Sequence, residues 1–114
     1  MLPRSAKNKG KNLQNYVKSR ILHYFPELNG HVKSTTMGES GEDLQLSPTA
    51  RGVLPVQIEC KNKARFAIYS IYEQAKRHGE FEPVLVIKQN HDKPLAVIDV
   101  EYLLNLLRKA HERS

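Results

Sequence analysis

The sequence predicts a single α/β domain in which helices flank a central mixed β-sheet. Three segments with helical spacing and five short apolar segments follow one another in the order α-β-β-β-α-β-β-α. A strand–helix–strand unit in the middle of the chain implies a parallel pair of strands, so the sheet should contain both strand orientations. The length of 114 residues is sufficient for one hydrophobic core.

The N-terminal part of the chain predicts a basic arm followed by a helix. We expect residues 1–8 to form a flexible basic arm and residues 9–114 to form the domain. From Lys11 to Phe25 apolar side chains recur every three or four residues, which is typical of an amphipathic helix that ends before Pro26. These apolar residues are Leu13, Tyr16, Val17, Ile21 and Tyr24.

Three short strands are predicted between this helix and the middle of the chain. Residues 31–36 form the first, and residues 43–47 alternate apolar and polar side chains as the second. A serine–proline pair ends the second strand, and residues 49–52 should form an irregular connection. An apolar run at residues 53–58 then leads into the third strand.

The C-terminal half predicts a helix, two strands and a final helix. Residues 67–78 place apolar side chains on one helical face, and Gly79 stops the helix. Residues 84–87 form a continuous apolar run that is typical of a buried strand, and residues 95–98 form a shorter one. Asp99 is a suitable N-cap for the last helix. That helix carries Leu103, Leu104, Leu106, Leu107 and Ala110.

Composition and charge restrict the class of protein. Hydrophobic residues at 39% and charged residues at 26% are typical of a soluble globular domain. No stretch approaches the roughly 20 apolar residues of a membrane span, so we expect no membrane partner. The basic N-terminus lacks the apolar segment of a secretory signal, and a single cysteine, Cys60, excludes an internal disulfide. These features favour a cytoplasmic location.

The basic balance of the chain favours a polyanionic partner. Eighteen Lys and Arg against twelve Asp and Glu give a formal net charge of +6. Such a surface attracts nucleic acid through phosphate contacts, although a basic surface can also serve solubility alone. The five histidines show no zinc-ligand spacing. The side chains expected to contact a nucleic-acid backbone are Lys9, Lys11, Ser40, Lys63 and Arg65.

The residues that carry the chemistry lie on the second and third strands. Side chains alternate faces along a strand, so Glu59 and Lys61 point to one side and Cys60 to the other. If the two strands pair, Asp43 joins Glu59 and Lys61 on one surface. Two carboxylates beside an ammonium group suit Mg²⁺, which activates water and neutralises charge on a phosphate. The alternative is a solvated Glu-x-Lys ion pair without a catalytic role.

These segments resemble the PD-(D/E)XK nuclease superfamily, whose fold is restriction-endonuclease-like. The resemblance is greatest to small phage nucleases and to Holliday junction resolvases of the archaeal type. It covers the chain from Lys9 to Leu107. The matching segments are Lys9-Gly10, GEDLQLSP at residues 41–48, IECKN at 58–62, YEQAK at 72–76 and EPVLVI from residue 82.

The resemblance implies a role for each residue of the site. Asp43 and Glu59 would be the metal-binding carboxylates, with the backbone carbonyl of Cys60 completing the metal shell, and Lys61 would be the catalytic lysine. The metal would be Mg²⁺, for which Mn²⁺ can substitute. Gln74 falls where several branches carry a glutamine near the site. Gln14 stands where resolvases usually carry a glutamate, a departure that removes one negative charge.

The implied activity is Mg²⁺-dependent, structure-selective cleavage of DNA, branched or duplex, inside a phage or bacterial cell. The alternatives are a nuclease of the same fold acting on linear or flap DNA, a non-catalytic nucleic-acid-binding protein, and a small RNA-binding protein. Symmetric cleavage of a junction requires two active sites, so a homodimer is expected. The leucine-rich last helix or an edge strand would form the pairing surface.

Overall fold

The computed structural model describes residues 4–35 and 41–113, and for residues 4–7 it describes the backbone only. It contains four α-helices, five β-strands and one turn of 3₁₀ helix at Pro26–Leu28 in these residues. In chain order the elements are α1 (Arg4–Tyr24), β1 (Val32–Ser34), β2 (Leu44–Leu46), α2 (Pro48–Val53), β3 (Val56–Asn62), α3 (Ile68–Lys76), β4 (Glu82–Lys88), β5 (Leu95–Val97) and α4 (Val100–Arg113).

The strands form one mixed sheet in the spatial order β1-β2-β3-β4-β5. β1, β2 and β3 pair antiparallel, β3 and β4 pair parallel, and β4 and β5 pair antiparallel. The parallel pair is connected by α3, as a crossover connection requires. The prediction of an α/β fold with a five-stranded mixed sheet flanked by helices is confirmed at this level.

The two faces of β3 have different surroundings. Ile58 and Cys60 point to the face covered by α1, where they pack with Leu13 and Leu44. Gln57 and Glu59 point to the other face, which α3 covers in part. A second cluster of buried residues, Leu28, Val32 and Ala50, packs at the edge of the sheet near β1. The central strand β3 therefore lies between α1 on one face of the sheet and α3 on the other.

Two sequence-based assignments need correction. Helix α1 begins at Arg4, so residues 4–8 have helical backbone where an arm was expected, while residues 1–3 lie outside the described residues. Arg4, Ala6 and Lys7 are good helix formers, and Gly10, which follows the segment, costs only about 1 kcal/mol. Residues 48–53 form helix α2 instead of an irregular connection. Its N-cap is Ser47, whose hydroxyl oxygen accepts a hydrogen bond from Ala50 N at 3.1 Å, with Pro48 at the first helical position.

The last helix, α4, has little contact with the rest of the domain. Its predicted N-cap is confirmed, because Asp99 Oδ1 accepts a hydrogen bond from Tyr102 N at 3.0 Å. None of its residues is buried. Its apolar side chains are between 39% and 65% exposed, namely Val100, Leu103, Leu104, Leu106 and Leu107. Among the described residues, none of the helices combines the length and apolar character that crossing a membrane requires.

Candidate active site

The antiparallel pairing of β2 with β3 brings Asp43 beside Glu59. Leu44 pairs with Ile58, and the same register continued by one residue places Asp43 opposite Glu59. Two backbone contacts fix Asp43 there. Its N–H donates to Ile58 O at 3.0 Å, and its Oδ2 accepts a hydrogen bond from Cys60 N at 2.7 Å. The expected meeting of the two carboxylates on one face of the sheet follows from this register.

Glu59 is a buried carboxylate with a basic side chain near each of its oxygens. Its side chain is 7% exposed. Lys61 Nζ lies 3.7 Å from Oε2, and His78 Nδ1 lies 3.1 Å from Oε1. The His78 contact has the length of an ion pair, but Oε1 accepts no well-formed hydrogen bond from the described residues. A buried carboxylate whose oxygens have only such poorly aligned or long contacts is costly to hold in its charged form.

Both carboxylates are disfavoured in their charged forms. Burial raises the pKa of Asp43 above its usual range, while the hydrogen bond from Cys60 and the charges of Lys61 and His78 act in the opposite direction. Burial also raises the pKa of Glu59, and the neighbouring Asp43 charge raises it further, against the opposing effects of His78 and Lys61. Two buried carboxylates that repel each other become stable together when a cation lies between them.

The Cys60 side chain packs in the core under α1, as expected, and has no access to the carboxylate face. Burial raises the pKa of its thiol, with additional contributions from Asp43 and Glu59. The thiol therefore stays protonated and is unsuited to nucleophilic attack. The backbone N–H of Cys60 is occupied by Asp43. A metal contact through the Cys60 carbonyl stays a prediction.

The donor set suits a hard divalent cation that retains water. Asp43 and Glu59 supply oxygen ligands on one face of the sheet. Among the described residues, no group of three or more His, Cys, Asp or Glu side chains is arranged to hold a metal. A site of this kind leaves several positions for water and phosphate oxygens, as Mg²⁺ sites commonly do. The residues fit Mg²⁺ better than Zn²⁺, which prefers a closed set of nitrogen and sulfur ligands.

The structure describes no hydrogen bond from either glutamine assigned to the site, Gln14 or Gln74, to Asp43 or Glu59. Gln14, on α1, is buried, and its Oε1 accepts a hydrogen bond from Ser34 on β1 at 2.8 Å. Gln74 is an exposed residue of α3. Glu42, the neighbour of Asp43, forms an ion pair with Arg51 and so does not add a charge to the pair. The roles proposed for Gln14 and Gln74 stay predictions.

Basic side chains gather where β3 ends. Lys63 and Arg65 follow β3 and are exposed. Lys9 lines a groove with Asn62 and Lys88, and its Nζ donates to Asn90 Oδ1 at 3.0 Å. Lys11 is exposed on the same helix, whereas Ser40 lies outside the described residues. The fold thus places lysines of α1, of β4 and of the segment after β3 at one end of the sheet.

Sequence reasoning missed two residues that shape the site, His78 and Gln57. His78 contacts Glu59, which lies 19 positions earlier in the chain, so no short-range sequence pattern indicates this contact. Gln57 is 1% exposed and lies two residues before Glu59 on the same face of β3. An amide within the apolar run at residues 53–58 was the available signal, because such a group must find hydrogen-bond partners inside the protein.

We compared the chain with protein-family models, with curated proteins and with solved structures, and none of them matches it. We therefore infer its function from the site.

Proposed function

We propose that this protein is a Mg²⁺-dependent DNA endonuclease that hydrolyses phosphodiester bonds. The observation that carries the proposal is the opposed pair Asp43 and Glu59, both with raised pKa values, beside Lys61. Buried like charges are costly in a metal-free fold, and structural needs alone give no reason to retain them. Clustered titratable groups with perturbed pKa values are a mark of functional sites.

Each residue of the site has a distinct task in this reaction. Asp43 and Glu59 would hold Mg²⁺, which supplies charge neutralisation at the scissile phosphate and activation of water. The Cys60 N–H keeps Asp43 in place through its 2.7 Å hydrogen bond. Lys61 is about one-third exposed, so its ammonium group can leave Glu59 and stabilise the additional negative charge that develops on the phosphate.

DNA is the substrate that the charge distribution favours. The net charge of +6 and the lysines at the end of β3 match a phosphate backbone, which supplies most sequence-independent affinity. Contacts of this kind recognise the shape of DNA more than its bases. We therefore propose a structure-selective nuclease acting on branched or duplex DNA in the cytoplasm, with linear or flap DNA as the second candidate substrate.

A homodimer would provide the two active sites that symmetric cleavage of a junction needs. The exposed leucines of α4 form a wide apolar face that the domain itself leaves uncovered. Pairing with a second copy would bury this face. Light scattering should give a dimer, and Leu104→Glu should give a monomer that still folds. A wild-type monomer at micromolar concentration, free and on a four-way junction, would favour the linear-DNA activity.

A cleavage panel tests the proposal. Purified protein is incubated with Mg²⁺ or Mn²⁺ on four-way junctions, flaps, linear duplex, single-stranded DNA and RNA. Asp43→Asn and Lys61→Ala should abolish cleavage and leave most DNA binding intact. Lys76→Ala is the matched control, because Lys76 is an exposed lysine of α3 that pairs with Glu73. Near-normal cleavage by either site variant refutes the assignment, and binding without cleavage by the wild type indicates a non-catalytic DNA-binding protein.

A further inference from the structure

His78 closes the carboxylate site from the end of α3. It follows α3 by two residues, and its imidazole is about one-third exposed. Its Nδ1 lies 3.1 Å from Glu59 Oε1, which is a hydrogen-bonding distance, although the contact is not a well-formed hydrogen bond in this structure. Contacts in active sites are often poorly aligned before substrate binds and tighten in the complex.

The position of His78 is set by a buried amide. Gln57 Nε2 donates to Ala75 O at 2.7 Å, and Gln57 Oε1 accepts a hydrogen bond from Phe81 N at 3.2 Å. These bonds hold the end of α3 and the residue before β4 against β3, on either side of His78. Gly79 allows the close approach, since a Cβ there would lie 2.5 Å from Gln57 Oε1. The turn that presents His78 is therefore constrained at both ends.

We propose that His78 is a positioning residue for the metal-binding carboxylate Glu59: its Nδ1–H holds Oε1 and leaves Oε2 for the cation. This inference rests on the proposed function. Without a partner for Oε1, the carboxylate can rotate and its unsatisfied oxygen competes for the cation in a second orientation. Lys61 cannot perform this task, because it lies 3.7 Å from the other oxygen and is required at the phosphate.

Partners that orient a metal ligand have a measurable effect on metal affinity. Their removal typically weakens metal binding by roughly 10- to 100-fold, and their role depends on the hydrogen bond rather than on charge. A leucine at position 78 fills similar space without a donor, whereas a glutamine retains an N–H. The pair His78→Leu and His78→Gln therefore separates positioning from packing.

The experiment measures Mn²⁺ affinity by titration calorimetry and electron paramagnetic resonance at pH 8. We expect His78→Leu to bind Mn²⁺ roughly tenfold more weakly than the wild type, and His78→Gln to recover most of the loss. In cleavage assays His78→Leu should require more Mg²⁺ and reach a near-normal kcat at saturating Mg²⁺. His23→Leu, an exposed histidine of α1, is the control and should match the wild type.

Two outcomes overturn the inference without touching the proposed function. Equal Mn²⁺ affinity in His78→Leu and the wild type would show that His78 does not orient Glu59. Tighter binding by His78→Leu would show that the imidazole opposes the cation. Asp43→Asn is included to test the metal site separately from the role of His78, because it should abolish Mn²⁺ binding. If the wild type and Asp43→Asn bind Mn²⁺ alike, the metal site itself is refuted, and the role of His78 with it.

Discussion

Asp43→Asn should stabilise the metal-free protein while it abolishes cleavage. The asparagine amide oxygen can still accept the hydrogen bond from Cys60 N, so the local backbone contact is retained. What is lost is one of two carboxylates whose pKa values are raised mainly by burial, and in Glu59 also by the charge of Asp43. Removing that charge should therefore raise the free energy of unfolding, as happens when functional groups held at a cost are replaced.

The magnitude follows from the opposed positions of the two residues. Directly opposed residues of an antiparallel pair have Cβ atoms about 5 Å apart. Two unit charges at that distance repel by about 3 kcal/mol at an effective dielectric constant of about 20. Lys61 and His78 offset part of this repulsion, so a net gain of about 1–2 kcal/mol is reasonable. For a domain of this size, that gain corresponds to an increase in Tm of roughly 4–8 °C.

The stability gained by Asp43→Asn relative to the wild type should increase as the pH rises. A carboxyl whose pKa is raised by folding contributes stability below its unfolded pKa, near pH 4, and loses it as pH rises through the folded pKa. The wild type should thus lose stability relative to Asp43→Asn between about pH 4 and the raised pKa values of the pair. Thermal unfolding followed by circular dichroism at pH 4 and pH 7.5, with a chelator present, measures this difference.

Mg²⁺ should reverse the order of stability. A ligand at 100 times its Kd stabilises the protein that binds it by about 2.7 kcal/mol, so saturating Mg²⁺ should raise the Tm of the wild type and not that of Asp43→Asn. The control is Glu42→Gln, which breaks the ion pair with Arg51 and should lower stability at pH 7.5. If Asp43→Asn also lowers stability in the chelator, Asp43 belongs to a structural ion-pair network and the reasoning fails.

Three further predictions concern the surroundings of the site. Gly79→Ala should cost about 1–3 kcal/mol in denaturant unfolding, because its Cβ would lie 2.5 Å from Gln57 Oε1; an unchanged midpoint would contradict this. Gln14→Glu should lower stability, since it buries a charge beside Ser34 on the face of the sheet that α1 covers; an unchanged unfolding midpoint would contradict this. DNA affinity should fall steeply with salt, and Lys63→Ala should reduce the slope of log K against log salt by about 1; a flat salt dependence would exclude a phosphate-dominated interface.

The sheet could be predicted from the sequence because its signals are local. Residues 82–88 and 95–97 carry strand-like apolar runs. The helix between β3 and β4 requires these two strands to be parallel. Asp99 was recognisable as an N-cap because a capping residue acts on an N–H only three residues away. Helix α2 was missed for a related reason. Ser47 followed by Pro48 indicates the end of a strand, and the same pair is also a helix start.

The part of the candidate site that lies on the strands could be predicted from the alternation of side chains along them. Alternation places Glu59 and Lys61 on one face, and an antiparallel neighbour adds Asp43. The contributions of Gln57 and His78 depend on how α3 docks on the sheet, which joins residues about 20 positions apart. No short-range pattern contains that information. The same limit applies to Gln14, whose hydrogen bond to Ser34 depends on the packing of α1 against β1.

The strongest argument for a functional site is that one buried polar group breaks a rule the others obey. Gln14 accepts a hydrogen bond from Ser34 at 2.8 Å, Thr35 donates to Glu42 O at 2.7 Å, and Gln57 bridges α3 and the turn after it. Glu59 is buried as deeply as these residues, yet its Oε1 has, within the described part of the chain, only a poorly aligned contact with His78 Nδ1 at 3.1 Å. Burying the charge would be a defect if Glu59 served structure alone, since a hydrophobic residue between Ile58 and Cys60 would continue the strand at lower cost. In the proposed function, a cation at Oε2 and an aligned hydrogen bond from His78 to Oε1 would together remove this cost in the working state, which is the pattern expected where stability is lost in favour of function.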